Sequence, residues 1–275
     1  MLSVYISEGF SQWRSIARQL YLAAVEPWAV TWLDAPDDDL FAQPQALPEP
    51  VAGREVRVPA KLLGMLETAA QYRCPQRWAL LYQILWRAAQ GDKAVSLAGD
   101  PLGSALHQRL KSIRREAHHM HAFLRFVPVI DTPWELVAWF EPAHDVLHSA
   151  SEHFVGRLGK TRWMIATPLD AVSFDGQCLS YLNPCPAPWQ ALAKAHLGAD
   201  QALWQTYYQS IFNPARLNPT VMTQHMPTRF WKNLPEGFLI KQLMSEARAG
   251  TQRDGQAKAV AQKSGKPILR TPPKT

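Results

Sequence analysis

Thirteen residues, Arg114–Phe126, read RREAHHMHAFLRF and hold three of the nine His of the 275-residue chain. Imidazoles so close together next to arginines fit a metal centre, an acid–base centre or a surface for an acidic partner. Metal ligation is the weakest of these. His118, His119 and His121 are one and two residues apart, so on a helix they point in different directions; on a strand His119 and His121 would share a face, but no carboxylate or Cys accompanies them in the pattern of a known site. Ligand spacing does occur at His144, His148 and Glu152, which would share one face of a helix at i, i+4 and i+8. There is no HExxH, and pairs of His four apart arise often by chance.

The candidates for acid–base chemistry are therefore His118, His119 and His121, with Glu116 as the orienting carboxylate. The alternative is a cationic face. His107, Lys111, Arg114, His118 and His121 recur at steps of four, three, four and three. They run one residue behind an apolar stripe of Leu106, Leu110, Ile113, Ala117 and Met120. A one-residue offset turns about 100° around a helix, so the two stripes are separate faces. Cations at this spacing suit a phosphate backbone, although a solvated helix face is the ordinary fate of a charge run. Beyond the helix the pattern changes to period two. His121, Phe123 and Arg125 alternate with Ala122, Leu124 and Phe126, as in a strand. Arg125 in a β-type run, beside an aromatic, extends the predicted nucleic-acid face to Lys111, Arg114, Arg115 and Arg125. A second basic segment, NPARLNPTVMTQHMPTRFWKNLPEGF, adds Arg216, Arg229 and Lys232. Its Phe230 and Trp231 read equally well as core residues of a C-terminal clasp.

The elements that must position these groups follow from periodicity. Strand-like runs are LSVYI, WAVTWL, AFLRFVPVI, WELVAWF, RWMIATP and AVSFDG. Helical patterns cover SEGFSQWRSIARQLYLAAV, VPAKLLGMLETAAQYR, QRWALLYQILWRAAQ, residues 101–120, PAHDVLHSASEHFVGRLG, and most of the chain after Pro186. A β-rich middle between helical flanks predicts an α+β fold, an antiparallel sheet packed by helices, rather than alternating βαβ units. At 47% hydrophobic residues the chain can bury a large core. Five of its eleven Trp (13, 28, 32, 78, 86) sit in the first third, where packing or a partner surface would use them. We expect one compact domain over residues 1–247, with a possible sub-boundary near 92–100, followed by a flexible tail. Seven of the 29 Lys/Arg and one of the 23 Asp/Glu fall in residues 248–275, which leaves 22 of each sign before it. The entire net charge of +6 thus belongs to a Gly-, Ala-, Gln- and Pro-rich tail of disordered composition. Such a tail either solubilises the protein or reaches polyanions through counterion release.

Other chemistries lack their motifs. No GxxxxGK[ST], GxGxxG or GxSxG is present, so no phosphate-cradling loop or hydrolase elbow is expected. Cys74, Cys178 and Cys185 form neither a CxxC pair nor a CxxxCxxC triad, which points to a reducing compartment. No apolar run reaches the ~18 residues of a membrane span, and the N-terminus lacks a secretory pattern. A cytoplasmic protein with no membrane partner is expected.

Taken together, GFSQWRSIARQLY, REAHHMHAFLRF, AWFEPAHDVL, RWMIATP and above all MPTRFWKNLPE resemble a bacterial family of DNA repair or DNA metabolism proteins over most of residues 1–248. Members are typically encoded beside a radical-SAM protein and in some chains are joined to a uracil-DNA glycosylase-like domain. The resemblance implies a DNA-associated accessory protein acting with a radical-SAM partner. Any iron–sulfur or SAM chemistry would then be the partner's, since the Cys triad is missing and this chain needs no cofactor of its own. It implies no glycosylase chemistry here. Two further readings stay open: an enzyme acting on a nucleotide or base with the His/Glu centre, and a protein–protein scaffold using the Trp-rich N-terminal part.

Overall fold

A computed structural model describes residues 2–34, 46–197, 201–213 and 218–249. The predicted tail lies almost wholly outside them, as does Arg216. The fold is mixed α+β, and its contacts divide it into two compact units that are each discontinuous in sequence. The first comprises Met1–Ala122 and Pro142–Lys160; the second comprises Phe123–Glu141 and Thr161–Thr275. Among the described residues no helix is long and apolar enough to cross a membrane.

In the first unit, β1 (Leu2–Tyr5) and β2 (Val30–Leu33) pair in parallel, Leu2 opposite Val30, with α1 (Phe10–Leu22) as the connection. Helices α2 (Ala60–Ala70), α3 (Arg77–Ala89), α4 (Pro101–Phe123) and α5 (Leu147–Leu158) complete it. The early tryptophans are largely core. Trp13 is fully buried, with ring centres 6.2 Å from Trp32 and 6.1 Å from Trp78. Trp32 meets Tyr82 at 5.5 Å, and Tyr82 meets Trp86 at 6.1 Å. Offset and edge-on pairs of this kind add to the area they bury. Trp28 is the exception, with three-quarters of its surface exposed. The Arg54 guanidinium lies 4.3 Å from the Tyr21 ring and 4.9 Å from that of Trp86. This cation between two aromatic faces fastens the connection before α2 to α1 and α3.

The start of α4 is fixed by charge and by close backbone approach. Asp100 accepts hydrogen bonds from the Leu102 and Gly103 amides at 2.9 and 3.3 Å, a side-chain cap on the helix. Arg87 grips Asp100 and Asp92 at 2.8 and 2.6 Å. A Cβ at Gly103 would stand 2.0 Å from the Leu97 carbonyl oxygen, so only glycine lets α4 lie against the 94–97 turn. The bonds from Arg87 hold both Asp carboxyls below their ordinary range. A depressed carboxyl stabilises the fold above its unfolded pKa of ~3.9 and loses that contribution as pH falls through the folded value. Replacing Arg87 with Ala returns both carboxyls toward ordinary pKa values. Acid unfolding followed by circular dichroism should therefore begin at higher pH in the variant than in wild type.

The second unit is built on a sheet ordered β3-β4-β5-β6-β7, from β3 (Val127–Pro128), β4 (Leu136–Trp139), β5 (Trp163–Ala166), β6 (Ala171–Phe174) and β7 (Leu179–Leu182). Every neighbouring pair is antiparallel except β4 with β5, which are parallel. All residues of β5 and β6 are buried, which explains their near-continuous apolar sequences. Helix α6 (Ala187–Ala195) packs on β4, and Trp189 meets Trp134 edge-on at 5.2 Å. The chain continues through α7 (Gln201–Ile211), α8 (Pro219–His225), a 3-10 turn over Thr228–Asn233, and α9 (Gly237–Ala249).

Two local expectations are corrected. No strand alternation runs from His121 to Phe126: α4 continues through Phe123, and β3 has only Val127 and Pro128. Phe123 extends the helical step from Met120, while Pro128 has no N–H to give a longer ladder. Helix α5 begins at Leu147, so His144 precedes it and shares no helical face with His148 and Glu152. Strand β7 is an addition. Its residues Ser180, Tyr181 and Leu182 are exposed.

Candidate functional site

Helix α4 presents a buried face and an exposed one. Leu106, Leu110, Ile113 and Met120 are buried, and so are Glu116 and His119. His107, Lys111, Arg114, Arg115 and His118 are exposed. None of the ion pairs among the described residues involves Lys111, Arg114 or Arg115. Three long cations on neighbouring turns repel one another.

The three clustered His are in three different settings. His118 is in solvent. His119 is buried, its Nδ1 3.9 Å from Glu116. His121 stacks on His153 of α5 at 4.1 Å, and its Nε2 lies 3.1 Å from the Ala150 carbonyl oxygen. Burial chiefly depresses the His121 pKa, and the neighbouring His153 and His118 add to this. Glu116 accepts a hydrogen bond from the Ala143 amide at 2.8 Å. A buried carboxylate bound to backbone in this way anchors the 142–146 segment.

That segment also carries a cluster the sequence reading missed. Asp145 accepts from both Arg73 and Arg77, the latter at 2.7 Å. Arg77 reaches Asp34 as well, again at 2.7 Å, and Asp34 accepts from the Trp78 indole at 2.6 Å. His144 stacks on Tyr72 at 4.2 Å. One local signal was available. Arg77 stands in the first turn of α3, where the helix dipole disfavours a cation, so a carboxylate partner had to come from elsewhere. Nothing local identifies Asp145 as that partner. His148 and Glu152 occupy the exposed side of α5. Among the described residues, no group of three or more His, Cys, Asp or Glu side chains could hold a metal ion.

Among the described residues, Arg125, Arg229 and Lys232 belong to the second unit and have partners there. Arg125 donates to Glu236 at 2.9 Å, with its side chain 16% exposed and that of Glu236 3% exposed. Its guanidinium lies 4.2 Å from the Trp204 ring. Lys232 and Asn233 both donate to Glu141, as does the Trp139 indole. These bonds hold the Glu141 carboxyl below its usual range against the opposing effect of burial. Arg229 is exposed, its guanidinium 4.4 Å from the Phe230 ring. Phe230 and Trp231 are buried, with Phe230 5.3 Å from both Phe123 and Phe140. A Cβ at Gly237 would stand 1.8 Å from the Trp231 carbonyl oxygen, so glycine is required where α9 begins. MPTRFWKNLPEG is thus a packing element of the second unit.

A family model described as a domain of unknown function, DUF4130, matches residues 75–236, more than half of the chain. No curated protein and no solved structure matches it.

Proposed function

For this chain, which belongs to the DUF4130 family, we propose a role as a DNA-associated accessory protein in repair or modification of DNA. The observation that carries this reading is the exposed face of α4, where Lys111, Arg114 and Arg115 have no carboxylate partner among the described residues. On a helix these cations lie within ~6 Å along the axis, which lets them contact phosphates of one backbone and fix the protein on it. His107 and His118 flank them on the same exposed side. Contacts to phosphate carry no sequence information, so this face supplies affinity and register. The seven Lys/Arg of residues 248–275 add non-specific attraction. The resemblance to DNA metabolism proteins supports a cytoplasmic role beside a radical-SAM partner, which would bring the iron–sulfur chemistry.

The test is fluorescence anisotropy of a labelled duplex over a range of salt concentrations. Three phosphate contacts give a slope of about −2.7 in log affinity against log salt, on top of the contribution from the tail. Truncation after Ala247 should weaken binding yet leave a slope near that value. A truncated protein whose binding is absent at low salt, or independent of salt, overturns the reading.

A further inference from the structure

We infer that a cavity at the N-terminal end of α4 receives an unpaired base of the DNA strand held on the α4 face. This rests on the DNA-binding reading above and adds a ligand class to it. The cavity has a volume of about 350 Å³ and lies between α2, the end of α3 and the 94–97 turn. Its walls include Leu62, Met65, Ala88, Val95 and Leu97, and His107 stands at its edge. This size falls within the ~300–1,000 Å³ of small-ligand pockets.

Three observations link the cavity to a nucleotide. His107 belongs both to the cavity and to the exposed stripe that continues through Lys111, Arg114 and His118. Four residues of helix rise about 6 Å, so a strand with a phosphate on Lys111 passes the mouth of the cavity. The rim is cationic. Lys61 and Lys93 are exposed and form no ion pair among the described residues, whereas the lining acid Asp92 is already held by Arg87 at 2.6 Å. Apolar walls below a cationic rim complement a ligand with a flat, weakly polar body and an anionic attachment, which describes a base on its phosphate backbone. The cavity is also built firmly. His107 Nε2 lies 3.0 Å from the Ser96 carbonyl oxygen, and the Gly103–Leu97 approach holds α4 against the same turn.

The experiment uses the full chain and two labelled duplexes, one fully paired and one carrying a single extrahelical 2-aminopurine. A base already out of the stack saves the few kcal/mol of unpairing, so the second duplex should bind about tenfold more tightly or better, with a change in 2-aminopurine emission. Leu97→Ser at the exposed lip, and Met65→Gln inside, should abolish that preference and the emission change while paired-duplex affinity stays constant. If Met65→Gln does not fold, Leu97→Ser decides alone. Equal affinity for the two duplexes in wild type, with the salt slope intact, refutes the cavity inference and leaves the α4 reading standing. A preference that survives Leu97→Ser also refutes it. Failure to bind either duplex removes both.

Discussion

Replacing Lys111, Arg114 and Arg115 together with Ala should remove about 2.7 from the salt slope of duplex binding, roughly 0.9 for each lost contact. Between 50 and 200 mM salt, the wild-type protein then loses about 40-fold more affinity than the variant, because a fourfold change in salt acts on those three released counterions. Folding should be untouched: all three side chains are exposed and outside the ion pairs of the described residues. Removing three like charges from neighbouring turns relieves repulsion, so thermal stability should hold or rise slightly. An unchanged slope in the triple variant would show that α4 is an ordinary solvated face and that any DNA affinity resides in the tail. Single substitutions refine the test, since each should lower the slope by about one.

The second large effect concerns stability. Glu236→Gln in the second unit should destabilise the protein by about 3 kcal/mol, because it removes the carboxylate charge that faces Arg125 in a site almost closed to water. In a chain of this size, that corresponds to a fall in Tm of about 6–12 °C. Replacing both partners with apolar residues of similar volume, Arg125→Met with Glu236→Leu, should recover most of the loss, since a buried pair repays little beyond its own desolvation. The same pair decides the role of Arg125. A phosphate-contacting arginine would lose DNA affinity on substitution with little change in Tm. The geometry predicts the opposite: Arg125→Ala lowers Tm through the loss of the Glu236 bond at 2.9 Å and the Trp204 contact at 4.2 Å.

Much of the candidate site was legible in sequence because a single helix carries it. The 4-3-4-3 steps of the apolar and cationic stripes on α4 define two faces directly, and the structure buries most of the first and exposes most of the second. His121 departs from its stripe because α5 packs against that end of the helix and supplies a stacked His153. The adjacent positions 118 and 119 differ because of the helix itself. A helix turns about 100° per residue, so one imidazole reaches solvent while the next is buried beside Glu116.

Long-range partners were not legible. Arg125 and Glu236 are 111 residues apart, and Arg77 and Asp145 are 68 apart. No local spacing relates such residues. Sequence by itself determined the α+β class, the helices, the two faces of α4 and the confinement of net charge to the C-terminal 28 residues, because periodicity and composition are properties of contiguous chain. Tertiary structure alone decided which cations are spent inside the fold and which remain available. It placed Arg125 on Glu236 and Lys232 on Glu141, and it left Lys111, Arg114 and Arg115 in solvent. A carboxylate neutralises a cation only when the fold brings them within a few ångströms, and that distance is not written in either residue's neighbours.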